Sequence, residues 1–76
     1  MNVVVRLFGP YREGRFRERT TDVPEGTTVE EVVERLALDR ERFPLGIVLV
    51  DGRHADLDRV LRQGETLSLF PRVGGG

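Results

Sequence analysis

An α+β roll, with a mixed sheet of four to five strands covered on one face by one main helix, is the fold class that this 76-residue sequence predicts. Three observations predict it. The chain opens on a β-branched apolar run and closes on an alternating one, a single well-marked amphipathic helix lies between strand-like segments, and the length allows only one small core. A domain of this size buries roughly 60 to 65% of its unfolded surface. Its expected stability is only about 4 to 11 kcal/mol.

Residues 2–8, NVVVRLF, are β-branched and apolar, which suits a strand buried on at least one face. GPYREG supplies turn residues, and the polar residues 15–23 then read as the outer strand of a hairpin, at an edge of the sheet. After PEGTT the helix begins at Val29. Thr28 with Glu31 three residues on forms a capping box, and Glu30 and Glu31 suit the positive end of the helix dipole. Val29, Val32, Val33 and Leu36 recur at i, i+3, i+4 and i+7, a stripe made to pack on the sheet, while Glu31 and Arg35 are spaced to pair on the solvent side. Residues 47–50, IVLV, form a short buried strand closed by the turn dipeptide Asp51-Gly52. A short or irregular strand follows, DLDRVL is compatible with one helical turn, RQGE reverses the chain, and TLSLF alternates as the final strand. No internal repeat or second domain is visible.

Composition excludes several function classes. With 12 arginines, no lysine and 13 acids, the net charge is -1, so no overall basic bias is available for nucleic-acid phosphates. The absence of cysteine rules out disulfides and thiolate metal sites. No apolar run approaches the roughly 18 residues needed to span a bilayer, and no secretion signal is present, so a cytoplasmic protein with no membrane partner is expected. GPYREGRF echoes a phosphate loop only superficially, since Arg15-Phe16 stands where Lys-Ser/Thr is required. His54, the only histidine, reads as a solvated loop residue, and no metal site is expected. Arginines 12, 15, 17 and 19 read as a solvated edge or as contacts for an acidic partner.

The chain ends in LFPRVGGG. Glycine loses more backbone entropy on ordering than any other residue, so such a tail is a poor structural element and a good narrow thread. A domain over residues 1–71 followed by a flexible glycine-rich tail over 72–76 is expected, with residues 73–76 disordered in the isolated protein. Pro71, with its fixed φ and missing N–H, is expected to end the last strand and aim the tail away from the sheet. Alternation puts Leu67 and Leu69 on one side of that strand and Ser68 and Phe70 on the other. Phe70 thus either caps the core's edge or is exposed beside the tail, where an aromatic would anchor a partner.

The element order resembles the β-grasp of ubiquitin-like proteins. The Gly64-Glu65 turn and the run from Phe70 to Gly76 resemble the bacterial sulfur carriers of molybdopterin and thiazole synthesis. Those carriers commonly show Phe-Pro-Pro-Val, a small residue and Gly-Gly. Here the second proline is Arg72 and the small residue is Gly74; Phe-Pro favours the molybdopterin type, whereas a triple-glycine ending also occurs among thiazole-type carriers.

The resemblance implies a carrier that is not itself an enzyme. An E1-like adenylating enzyme joins the carboxylate of Gly76 to AMP at the expense of ATP. A sulfur donor of desulfurase or rhodanese type then converts it to a thiocarboxylate, and the large subunit of molybdopterin synthase or another acceptor takes the sulfur. No cofactor is bound by the carrier itself. Gly76 is then the reacting residue, Arg72, Val73, Gly74 and Gly75 thread the partner's cleft, and Phe70 and Pro71 dock. Residues 72–76 can span up to about 17 Å. Two other classes stay open: a ubiquitin-like modifier joined to target lysines, and a non-covalent β-grasp binding module with an inert tail.

Overall fold

Val3, Val5 and Leu7 alternate to one side of a strand, and their complete burial marks that side as the core face. The computed structural model describes residues 1–72. Among them are β1 (Asn2–Leu7), β2 (Glu18–Asp22), α1 (Val29–Leu36), β3 (Leu45–Val50), β4 (Arg53–His54) and β5 (Thr66–Pro71). They form one sheet in the order β2-β1-β5-β3-β4. β1 and β5 run parallel, and the other neighbours are antiparallel. The expected mixed sheet under a single helix is therefore the architecture found. The last strand in sequence is the central one in space. β2 lies at an edge, as expected, and is confined to residues 18–22.

The core is filled by Val3, Val5 and Leu7 of β1, Val29, Val32 and Val33 of α1, Val48 and Val50 of β3, and Leu67 and Leu69 of β5, with Tyr11 and Leu61 from connecting segments. Leu36, the fourth residue of the helical stripe, packs at the margin of this cluster. The capping box forms as expected. Thr28 Oγ1 accepts from the Glu31 N–H at 3.2 Å, and Glu31 Oε1 accepts from the Thr28 N–H at 3.0 Å. This use of the Glu31 carboxylate explains why the expected Glu31–Arg35 pair is not among the described ion pairs; Glu30 instead lies 3.8 Å from Arg40. The helix ends at Ala37, whose φ of 51° is left-handed, and Arg15 donates to the terminal carbonyls of Leu36 and Ala37 at 3.4 and 2.9 Å.

One connection differs from the sequence expectation. Residues 9–12 form a 3-10 helix rather than a simple turn, because Tyr11 is buried and its hydroxyl donates to the Phe43 carbonyl at 2.6 Å. Burial raises the Tyr11 pKa, against a smaller opposing effect from Arg40. DLDRVL holds a single turn, closed by the Arg59 N–H on the Asp56 carbonyl at 3.1 Å, which does not continue into a helix because the Arg59 and Leu57 carbonyls accept the otherwise unpaired N–H groups of Val29 and Glu30 at the start of α1, at 3.0 and 2.9 Å. Thr28 and Val60 then bridge antiparallel, and the Leu61 N–H reaches the Thr27 carbonyl at 2.8 Å.

Candidate functional site

β5 emerges from the sheet's centre between the residues that follow β1 and those that begin β3. Its core-facing side chains, Leu67 and Leu69, are fully buried. Ser68 and Phe70 point to the face that α1 leaves uncovered, as the alternation requires. Register places Val4 and Arg6 of β1 and Ile47 and Leu49 of β3 on that same face.

Phe70 is half-buried there. It neither caps the core nor stands bare, because its ring stacks on Phe8 with centroids 4.1 Å apart and planes 10° from parallel. The Arg6 and Arg12 guanidinium carbons lie 5.5 and 5.2 Å from the Phe8 centroid. Ile47, paired with Phe70 and 44% exposed, continues the apolar surface. The sheet thus presents an aromatic pair, flanked by aliphatic side chains and topped by guanidinium groups, next to the exit of the C-terminal segment. Such a surface suits a protein partner with apolar and acidic groups.

Sequence reasoning identified Phe70 but not its partner Phe8; the matching positions on parallel neighbours become visible only once the β1–β5 register is known. The arginines of the first connection are largely engaged within the molecule. Arg12 Nε donates to the Leu7 carbonyl at 2.8 Å, Arg15 caps α1, and Arg19 lies over the Phe16 ring at 4.3 Å.

β5 ends at Pro71, as expected, but Pro71 is itself the last paired residue, opposite Leu45, and the chain does not turn from the sheet at once, because the Arg72 N–H donates to the Pro44 carbonyl at 2.7 Å. Proline is tolerated because the flanking pairing is irregular, with an extra residue between Leu45 and Ile47. Val73, Gly74, Gly75 and Gly76, with their expected disorder, lie outside the described residues.

The turn before β5 is held by its glutamate. Gly64 adopts a φ of 81°, and the Glu65 carboxylate accepts from the Arg62 N–H at 2.7 Å and from both terminal nitrogens of Arg59, the Nη2–Oε2 distance being 2.8 Å. The hydrogen bonds from Arg59, aided by the Arg62 N–H, hold the Glu65 pKa below the ordinary carboxylate value against the opposing effect of burial. The Glu65 carbonyl in turn accepts from the Val4 N–H at 2.9 Å and sets the β1–β5 register. His54 is exposed on β4, and no group of three or more metal-ligating side chains occurs among the described residues. No helix among them is long and apolar enough to cross a membrane.

A parallel β1–β5 pair at the centre of a mixed sheet, one helix across it and a C-terminal segment leaving beside an uncovered face define a ubiquitin-like β-grasp protein. The profile of the ThiS family matches residues 5–76, and the chain belongs to that family. It is a small sulfur-carrier-type protein of that family.

Similar solved structures agree. SAMP1 of Haloferax volcanii, the small archaeal modifier protein 1, is 29% identical over 100% of both chains with a TM-score of 0.77. A Pyrococcus furiosus protein assigned as molybdopterin converting factor subunit 1 is 25% identical, with 96% of this chain and 99% of that one covered and a TM-score of 0.74. Subunit 1 or 2 in the complex of molybdopterin-converting factor from Helicobacter pylori is 25% identical over 100% of both chains, with a TM-score of 0.67. Among curated proteins nothing matches the chain.

Proposed function

We propose that the protein carries sulfur as a thiocarboxylate on Gly76, in the synthesis of molybdopterin. The observation that supports this reading best is that the family match runs through residue 76, along a chain that leaves the central strand beside the Phe8–Phe70 face. An E1-like partner binds that face and receives residues 72–76. A carboxylate oxygen of Gly76 attacks the α-phosphorus of ATP, pyrophosphate leaves, and an acyl adenylate forms. The terminal sulfur of a donor's persulfide then attacks the carbonyl carbon and AMP departs. A thiol cleaves the resulting S–S bond, leaving the thiocarboxylate on the carrier and a disulfide on the donor side.

The carrier contributes position and access, while its partners contribute the reacting groups. Glycines at 74, 75 and 76 leave the carbonyl unobstructed and let a partner grip the main chain. The molybdopterin assignment rests on the converting-factor complex to which the chain is similar, in which subunits 1 and 2 associate; a large subunit is the corresponding acceptor partner here. Other acceptors, in thiazole synthesis, tRNA thiolation or cysteine synthesis, use the same activated end.

A second reading, a modifier joined to target lysines, is favoured by the similarity to small archaeal modifier protein 1. Intact mass after incubation with an activating enzyme, ATP and a sulfur source separates the readings. A carrier gains the increment of sulfur replacing oxygen, and a modifier becomes linked to a target protein. An unchanged mass under conditions that load a known carrier would overturn both.

A further inference from the structure

Gly46 sits where no local rule asks for glycine. It is exposed, and it is absent from the residues with positive φ. Its place in the sheet supplies the reason. Leu45 pairs with Pro71 and Ile47 with Phe70, which makes Gly46 the extra residue of a bulge in β3. A β-carbon on Gly46 would lie 2.8 Å from both N and Cα of Arg72 and 3.0 Å from the carbonyl carbon of Pro71. These are backbone atoms, which cannot swing aside as the end of a flexible side chain can. Any other residue at 46 therefore displaces Arg72 and strains its hydrogen bond to the Pro44 carbonyl, two residues before the bulge. On the opposite side of β5, Gly9 with a φ of 58° lies against the Pro71 ring, where a β-carbon would be 3.3 Å from Cγ. The chain leaves the sheet between two glycines.

We propose that Gly46 is a positioning residue for the C-terminal segment. By admitting the Arg72 backbone against the β3 bulge, it preserves the Arg72–Pro44 bond and fixes the direction in which the reacting end approaches an activating enzyme. The functional half of this proposal rests on the carrier reading above. Its structural half concerns Arg72 alone. The backbone atoms that Gly46 approaches are those of Arg72 and Pro71, so its effect passes through Arg72.

The test compares the full-length wild-type chain with Gly46→Ala, Gly46→Val and Val33→Ala, the last lowering stability through the core without touching Arg72. Amide hydrogen exchange at Arg72, thermal stability and the kcat and KM for adenylation of the carrier, followed by pyrophosphate release, are measured for each. In Gly46→Ala the Arg72 amide should exchange about fivefold to tenfold faster, the loss of one hydrogen bond, while Leu67 and Leu69 stay protected. KM should change little, because the Phe8–Phe70 face is intact, and kcat should fall by about 10- to 100-fold through misdirection of the reacting end. Gly46→Val should exceed both effects, and Val33→Ala should leave kcat and Arg72 exchange unchanged at an equal or larger loss of melting temperature.

An unprotected Arg72 amide in the wild type, unaltered exchange in Gly46→Ala, or faster exchange with unaltered kcat would each overturn the proposal. A wild-type chain that is not adenylated would sink the carrier reading. Arg72 exchange would then still decide whether Gly46 holds the exit.

Discussion

Phe70 makes two contributions that a single substitution can separate. Its stack on Phe8 joins β5 to the end of β1, and its accessible edge belongs to the uncovered face. Phe70→Ala should lower unfolding free energy by about 0.5–1.5 kcal/mol through the lost aromatic pair. It should weaken partner docking by about 1–2 kcal/mol, read by calorimetric titration, and saturating partner should restore the chemistry. Glu65 makes a pH-dependent contribution. Its folded pKa is depressed, chiefly by the Arg59 hydrogen bonds, so its stabilisation is fully present above the ordinary carboxylate pKa and is lost as pH falls through the lower folded value. Glu65→Gln should therefore destabilise the protein at neutral pH, and the gap to wild type should narrow as pH falls below the ordinary carboxylate range and through the lower folded value. Urea midpoints across this range measure it; a gap that widens on acidification would contradict the assignment.

The helix is the element in which sequence and structure agree most closely. A capping box is a local pattern of four residues, and the apolar stripe needs only the helical repeat, so both were readable before any tertiary contact was known. Thr28→Ala should cost about 0.5–2 kcal/mol through loss of the cap. Val33→Ala should cost about 1–3 kcal/mol through lost burial and a cavity, checked by denaturant unfolding. What could not be read depends on partners far along the chain. Tyr11 turns GPYR into a 3-10 helix because a hydrogen-bond acceptor waits at Phe43. DLDRVL stops at one turn because its Leu57 and Arg59 carbonyls serve the start of α1. Phe70 was legible as a candidate for docking, whereas Phe8 and Gly46 acquire meaning only through the neighbours of β5, one by stacking and the other by close backbone approach.

At the scale of the whole molecule, the proposed chemistry at Gly76 and the fold are separable in one direction only. Deleting Gly76, or converting its carboxylate to an amide, should abolish adenylation and leave unfolding free energy within about 0.5 kcal/mol of wild type, since glycine has no side chain to bury. Gly75→Val should slow the reaction while leaving stability equally untouched, by narrowing access to the main chain. Adenylation at the wild-type rate after removal of Gly76 would defeat both covalent readings. The reverse separation is not available, because β5 fills the middle of the sheet, between β1 and β3. A nascent chain halted before Thr66 has two strands with no neighbour between them and a core lacking Leu67 and Leu69. Such a fragment has two raw edges and no stable native state, which leaves it exposed to proteases. Synthesis itself thus acts as a proofreading step: the ribosome must deliver β5 before the Phe8–Phe70 face exists as a folded surface, so a partner that docks there meets only chains whose central strand is in place.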